Sequence, residues 1–450
     1  MNNKPTALFS LKSVPTVAIT LFIFLNCATS CKKPAPIPQK FSEIKELNVK
    51  GIRVYLKKNT NEVVSAQLFT TGGNAFYTKE MAGMEVLAIK TAVWGSTKNL
   101  SADQIRMTLE NSGATIQDIS DIDHSSIQLN CPLAKWDMCW EIFSGIIASP
   151  AFDPGDFNRI REMMVSDLKM KETEPLAKEE KMAMNSVFSG MNLNNWGNEE
   201  YLNKISVEMA KSYYDSIMAK SRIFLVVTGK VSEEEITKKV NMVMTGLPKG
   251  KMMAAPDTNL YMIPSGMMIE AREGNMNYLF GLSSAPKPNS KDAIALGLGL
   301  SLVNERLWEE FKTRKGWPGP VLGIRNNHLH PFVGIMFDSP LPNESLQILA
   351  EVLKSIKQTG FTVDQLKTSK DRYLTRHFMN LEPNHAQCLQ IGRYVLAGDY
   401  RLWDDFSGMV TNMPAERVNG TLKKYLKTIN WTYLGKKEAV DESLLKQTIE

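Results

Sequence analysis

The sequence predicts an α+β chain built from two similar halves. Three observations carry that expectation. Two strongly β-forming runs end alike, RIFLVVTGK at residues 222–230 and INWTYLGK at 429–436. Each closes the same succession of patterns: strand, helix, strand pair, several helices, final strand. Between the halves lies GLPKGKMMAAPD at 246–257, rich in Gly, Pro and Lys and without periodicity, which reads as a linker. A chain of 450 residues has room for such a duplication.

The first half opens with GIRVYLKKN, a polar turn and VVSAQLFT, where residues 63–69 alternate between two faces as a strand does. Gly72-Gly73 ends that strand and a short apolar helix follows within residues 81–98. Ser101 with Gln104 forms a capping-box pattern for a second helix, which stops at Gly113. Residues 114–133 return to strand. Helical patterns then cover about 134–147, 154–171, 176–188 and 206–220. The strand at 222–231 leads to Ser232 and Glu235, another capping-box pair that starts a helix running to about 245. In the second half the strand 275–284 precedes a long helix over 292–315. Strands near 321–325 and 332–337 come next. Helices are expected at 344–359, 364–380, 385–397, 401–410 and 415–427, before the last strand at 429–434.

The N-terminus reads as an export signal. Lys4 and Lys12 precede the apolar run VPTVAITLFIFL, and Ala28-Thr29-Ser30 stands before Cys31. That cysteine sits as in a bacterial lipoprotein box, so Cys31 is the expected lipidation site. KKPAPIPQK after it reads as an extended tether. Cleavage would remove two lysines and no acid, taking the net charge from +5 to +3, a mild value that argues against nucleic acid as a partner. Cys131, Cys139 and Cys388 have no metal-site spacing and read as small core residues, with a Cys131–Cys139 bond left open. The expected partition is 1–30 signal peptide, 31–42 tether, 43–247 first domain, 248–257 linker and 258–450 second domain.

The stretch MAGMEVLAIKTAVWGSTK at 81–98 resembles the zinc-motif helix of the insulinase-like (pitrilysin) peptidases, G-[ILM]-A-H-[FY]-L-E-H-M-x-F-x-G-[ST]. Gly83 and Met84 match its start, and Gly95 and Ser96 its end. Val86 stands in the first His position, Ile89 in the Glu position and Lys90 in the second His position. Further likeness lies in KGIRVYLKKN, in TTGGNAF (Asn74 and Ala75 depart), in FDPGDFNRIREMMVSDL and in NERLWEEFKTRKGWPGPVLG, so it covers nearly the whole exported chain. The resemblance implies two duplicated domains, each a mainly antiparallel sheet with helices packed on it, facing each other as a clamshell.

Zinc chemistry of that family needs two imidazoles at i and i+4 on one helical face, a general-base Glu between them and a later carboxylate ligand. Here Val86 has no lone pair, Ile89 no exchangeable proton, and Lys90 carries a cation. Asp167 falls where the family's last ligand stands. We expect no catalytic residue, no metal and no cofactor, although active relatives use zinc, and we expect Lys90 and Asp167 to pair in the space zinc would fill. On the family pattern Lys312 takes the place of a substrate-holding Arg and Gly319 that of a Tyr. Other candidates read as polar turns: His328-x-His330, and His124 with Asp121 and Asp123. His377 and His385 read as surface or packing residues.

The resemblance points to a catalytically dead, lipid-anchored envelope protein that serves as partner subunit to an active insulinase-like peptidase in a heterodimer that encloses peptides. A stand-alone binding or scaffold protein, and an active peptidase with an atypical site, are the alternatives.

Overall fold

The alternating runs pair into two sheets, one from each half of the chain. The computed structural model describes residues 43–73, 79–188, 197–251, 262–316, 319–325 and 330–447. The tether, Cys31, Asn74, Ala75, His328 and most of the expected linker lie outside these.

The first half runs β1 (Ile44–Val49), β2 (Ile52–Lys58), β3 (Val63–Thr71), α1 (Met84–Trp94), α2 (Ala102–Ser112), β4 (Thr115–Ser120) and β5 (His124–Pro132). It continues with α3 (Trp136–Ala148), α4 (Pro154–Thr173), α5 (Pro175–Phe188), α6 (Glu199–Lys204), α7 (Val207–Ile217), β6 (Ile223–Gly229) and α8 (Glu233–Val243). The second half runs β7 (Gly266–Ala271), β8 (Asn277–Ser284), α9 (Lys291–Arg314), β9 (Val321–Arg325) and β10 (Phe332–Ser339). Then come α10 (Pro342–Thr359), α11 (Val363–Asn380), α12 (Asn384–Leu396), α13 (Leu402–Thr411), α14 (Ala415–Tyr425), β11 (Asn430–Gly435) and α15 (Glu442–Gln447).

The strand orders are β1-β2-β6-β3-β5-β4 and β7-β11-β8-β10-β9. With β1 set aside they coincide. Each sheet has one parallel pair at the same place, β2 with β6 and β7 with β11, and all other pairs are antiparallel. The helices repeat as well. α1 packs on α4, α7 and β4, and α9 packs on α11, α14 and β9. The chain is thus a duplicated α+β fold, as the sequence predicts. The expected capping box of Ser101 and Gln104 closes in both directions; at Ser232 only the serine half forms, accepting from the Glu235 N–H.

One apolar core lies under each sheet. Leu56, Leu68, Leu87, Phe143 and Phe157 belong to the first, and Leu302, Phe311, Leu349, Trp431 and Tyr433 to the second. Each such side chain stabilises the fold by about 1.5–3 kcal/mol through its removal from water. Cys131 and Cys139 are free thiols buried in the first half, and burial raises both.

The two halves exchange helices. α5, from the first half, lies on β8 and β11 of the second sheet, and α12, from the second half, lies on β3 and β6 of the first. Ala183, Val187 and Phe188 of α5 pack with Phe280, Leu282 and Phe332. Cys388 and Ile391 of α12 pack with Tyr55, Phe69, Phe224 and Val226. Gly392 is there because a Cβ would stand 2.0 Å from the Phe69 ring. Polar links cross too: Thr228 Oγ1 donates to the Asn384 carbonyl at 2.8 Å, Gln128 Nε2 to the His385 carbonyl at 3.2 Å, and Ser186 Oγ to Asn430 Oδ1 at 2.8 Å. Residues Ser42–Glu450 accordingly form one unit of contacts.

Candidate functional site

Gly83 sits at the N-cap of α1 with φ of 88°, a left-handed conformation that glycine adopts without steric cost. The helix it opens is buried on nearly every side, which suits its continuous apolar sequence. Val86 is 2% exposed and Ile89 fully enclosed, both in the first core.

Lys90 Nζ pairs with Asp118 Oδ2 of β4 at 3.0 Å, and both side chains are mostly buried, 16% and 8% exposed. The indole N–H of Trp94, one helical turn on, donates to the other carboxylate oxygen of Asp118 at 2.7 Å. This corrects the expected pairing of Lys90 with Asp167. Asp167, half-buried on α4, acts on Lys171, one helical turn further along the same helix. Burial holds the Lys171 ammonium below its usual range, Asp167 and Glu180 pull it back up, and Lys90 adds to the fall. The cause of the correction is packing: α1 lies against β4 as well as α4, and the strand offers its carboxylate at the right height.

Sequence reasoning passed over Glu85. It lies one residue before the first motif position, 2% exposed. Its carboxylate accepts from Ser125 Oγ at 2.5 Å, from the Tyr213 hydroxyl at 2.6 Å and from the Gly73 N–H at 3.3 Å. It therefore ties α1 to β5, to α7 and to the end of β3. The signal was an acid inside an otherwise apolar helix, which demands partners if it is buried.

A zinc ion does not fit this arrangement. Two of the four positions are apolar core, the third is a cation paired with Asp118, and the fourth, Asp167, is a single carboxylate that acts on Lys171, while Glu85, the acid on α1, has its oxygens occupied.

Comparison with known proteins supplies the family. Residues 53–196 match the description "Insulinase (Peptidase family M16)" and residues 204–373 match "Peptidase M16 inactive domain". The chain belongs to the insulinase-like M16 peptidase family. An uncharacterized zinc protease, YmxG of Bacillus subtilis, is 18% identical over 383 residues, covering 83% of this chain and 93% of that protein. The solved M16 inactive domain of Pseudomonas fluorescens superimposes with a TM-score of 0.79 at 16% identity, over 88% of this chain and 98% of that one. A Helicobacter pylori protease gives 0.77 at 14% identity, over 88% and 99%. The periplasmic protease PqqL of Escherichia coli gives 0.72 at 12%; the match covers 88% of this chain and 45% of that one.

The second-half positions expected to hold substrate lie on the last turn of α9 and just beyond it. Lys312 lies exposed on the last turn of α9 with its ammonium 4.6 Å from the centre of the Trp308 ring, an i, i+4 cation–π contact. Gly319 lies flat against Phe311, and a Cβ there would stand 2.5 Å from that ring, so no tyrosine is accommodated without rearrangement.

At the β4–β5 turn, Asp121, Asp123 and His124 bring ligand atoms within 4.8 Å of one another. His124 Nδ1 is 2.8 Å from Asp123 Oδ1, an arrangement that orients the buried ring. The Asp121 N–H donates to the His124 carbonyl at 2.8 Å, which closes the turn. His330 packs against Phe188, and His377 stacks on Phe406 with centroids 4.1 Å apart.

Proposed function

We propose that this chain is a non-catalytic partner subunit of a two-chain insulinase-like peptidase, which together with an active zinc subunit encloses peptide substrates. The observation that carries the reading is α1. The zinc-motif helix is built in place, framed by Gly83 and Gly95, while its donors are replaced by core packing and by the Lys90–Asp118 pair. Such a helix serves architecture and binding, not hydrolysis. The likeness to an M16 inactive domain supports it. In this reading the N-terminal export signal delivers the chain to the cell envelope with Cys31 as its lipid anchor, and the likeness in fold to the periplasmic protease PqqL supports it. In this reading the chain carries no metal of its own.

The test is co-purification from the native envelope fraction, with metal analysis and a peptidase assay. The expected result is an active M16 peptidase that hydrolyses peptides only when this chain is present, and no zinc on this chain alone. One equivalent of zinc on the isolated chain would overturn the reading. A stable monomer with no peptidase in the pull-down would favour a free-standing binding protein.

A further inference from the structure

The duplication gives the motif helix a counterpart. α1, β4 and α4 meet in the first half as α9, β9 and α11 meet in the second. In the first half the junction is filled by Val86, Ile89 and the Lys90–Asp118 pair. In the second half the same junction opens into a cavity of about 380 Å³, closed on its far side by α12 and α13. That volume lies in the lower part of the range that holds small organic ligands.

The lining is chemically one-sided. Arg376 and Arg393 contribute cations, and no Asp or Glu is among the lining residues. Arg393 Nε and Ser301 Oγ are both buried and have no hydrogen-bond partner. A buried guanidinium N–H without an acceptor costs on the order of 1–3 kcal/mol, so an acceptor that reaches it is strongly favoured. His377 adds no charge, since burial lowers it to about 4 and its ring lies flat on Phe406. Ile294, Leu300 and Phe406 supply apolar wall.

We infer that this cavity binds a carboxylate carried on a compact apolar body, with the carboxylate on the Arg393 and Arg376 guanidinium groups and the body against the α9 and α13 side chains. The planar guanidinium fork matches a carboxylate in geometry and charge. Such a group comes either from the C-terminus of a peptide or from a free organic acid. The inference stands whether or not the chain partners a peptidase, because it concerns this chain alone.

The experiment is isothermal titration of the purified full chain with acetyl-Ala-Phe, its C-terminal amide and 3-phenylpropionate. The acid should bind at least about tenfold tighter than the amide, the loss expected when a charge-assisted contact is removed. Tighter binding of acetyl-Ala-Phe than of 3-phenylpropionate assigns the site to peptide ends; equal or weaker binding assigns it to free acids. Arg393→Gln should weaken the acid by about tenfold or more, Arg393→Lys less, and Arg376→Gln, at an exposed position, provides a second variant with little risk to folding. Equal affinity for acid and amide, no binding of either acid up to about 10 mM, or unchanged affinity in both folded Arg→Gln variants would overturn the inference.

Discussion

Lys90 shows what a cation inside an apolar helix obliges its surroundings to do. A lysine buried in an apolar helix needs a counter-charge, and Asp118 supplies it at 3.0 Å. Lys90→Met alone leaves the Asp118 carboxylate, among the described residues, with the Trp94 indole as its side-chain partner, and should lower stability by about 3–5 kcal/mol. Adding Asp118→Leu should recover most of that loss, measured as denaturant midpoints in a double-mutant cycle. Losses that simply add would mean that the pair is not coupled. Glu85→Ala should cost on the order of 3 kcal/mol, because the Tyr213 and Ser125 hydroxyls lose a charged acceptor in a buried place. A Glu85→Ala variant that unfolds at the wild-type urea concentration would count against that network. Val86, Ile89 and Lys90 were legible in the sequence because a motif on one helix has fixed spacing. The partner of Lys90 was not, since counting along the chain selects Asp167 while the packing of α1 on β4 selects Asp118.

At the scale of elements, periodicity and caps placed the long helices and inner strands to within a few residues. The elements it missed are those with little pattern to read. β7 is a half-exposed edge strand rich in methionine, and α6 and α15 are only six residues long. What no pattern shows is whose sheet an amphipathic helix will cover. α5 and α12 each cross to the other half, and α5 carries a mark of that position. Glu179 is 1% exposed over the second sheet, and burial raises its carboxyl from 4.5 to about 7, with Thr432 and the Phe280 backbone opposing and Glu270 adding. The folded state therefore holds this proton more tightly than the unfolded chain. Between about pH 4.5 and 7 the folded state binds more protons, so this group's contribution falls as pH rises and its full penalty is present above pH 7. Glu179→Gln should stabilise the protein by roughly 3 kcal/mol at pH 8 and by little at pH 4, since each pKa unit is worth about 1.4 kcal/mol. Thermal or urea unfolding at the two pH values decides it, and an equal gain at both would show that ionisation is not the cause.

For the molecule as a whole the helix exchange changes what two halves can mean. Their strand sets keep strictly to their own halves of the chain, which is why the duplication could be read from the order of elements. Their cores do not keep apart. Removing the second half would uncover Phe69, Phe224 and Val226 where α12 lies, and removing the first would uncover Phe280 and Leu282 under α5. Any motion that parted the halves would have to lift both helices off apolar sheet faces and break the Thr228–Asn384 and Ser186–Asn430 bonds. Relative motion of the two halves is therefore costly within this chain. Calorimetry of residues 43–450 should accordingly give one cooperative transition whose van't Hoff and calorimetric enthalpies agree. Residues 43–251 and 262–450 expressed separately should each lack a cooperative transition and dispersed amide resonances, and should regain both on co-expression, as interlocked halves must. A fragment that folds alone with its own sharp melting would show that the exchanged helix is an accessory to each half and not part of its core.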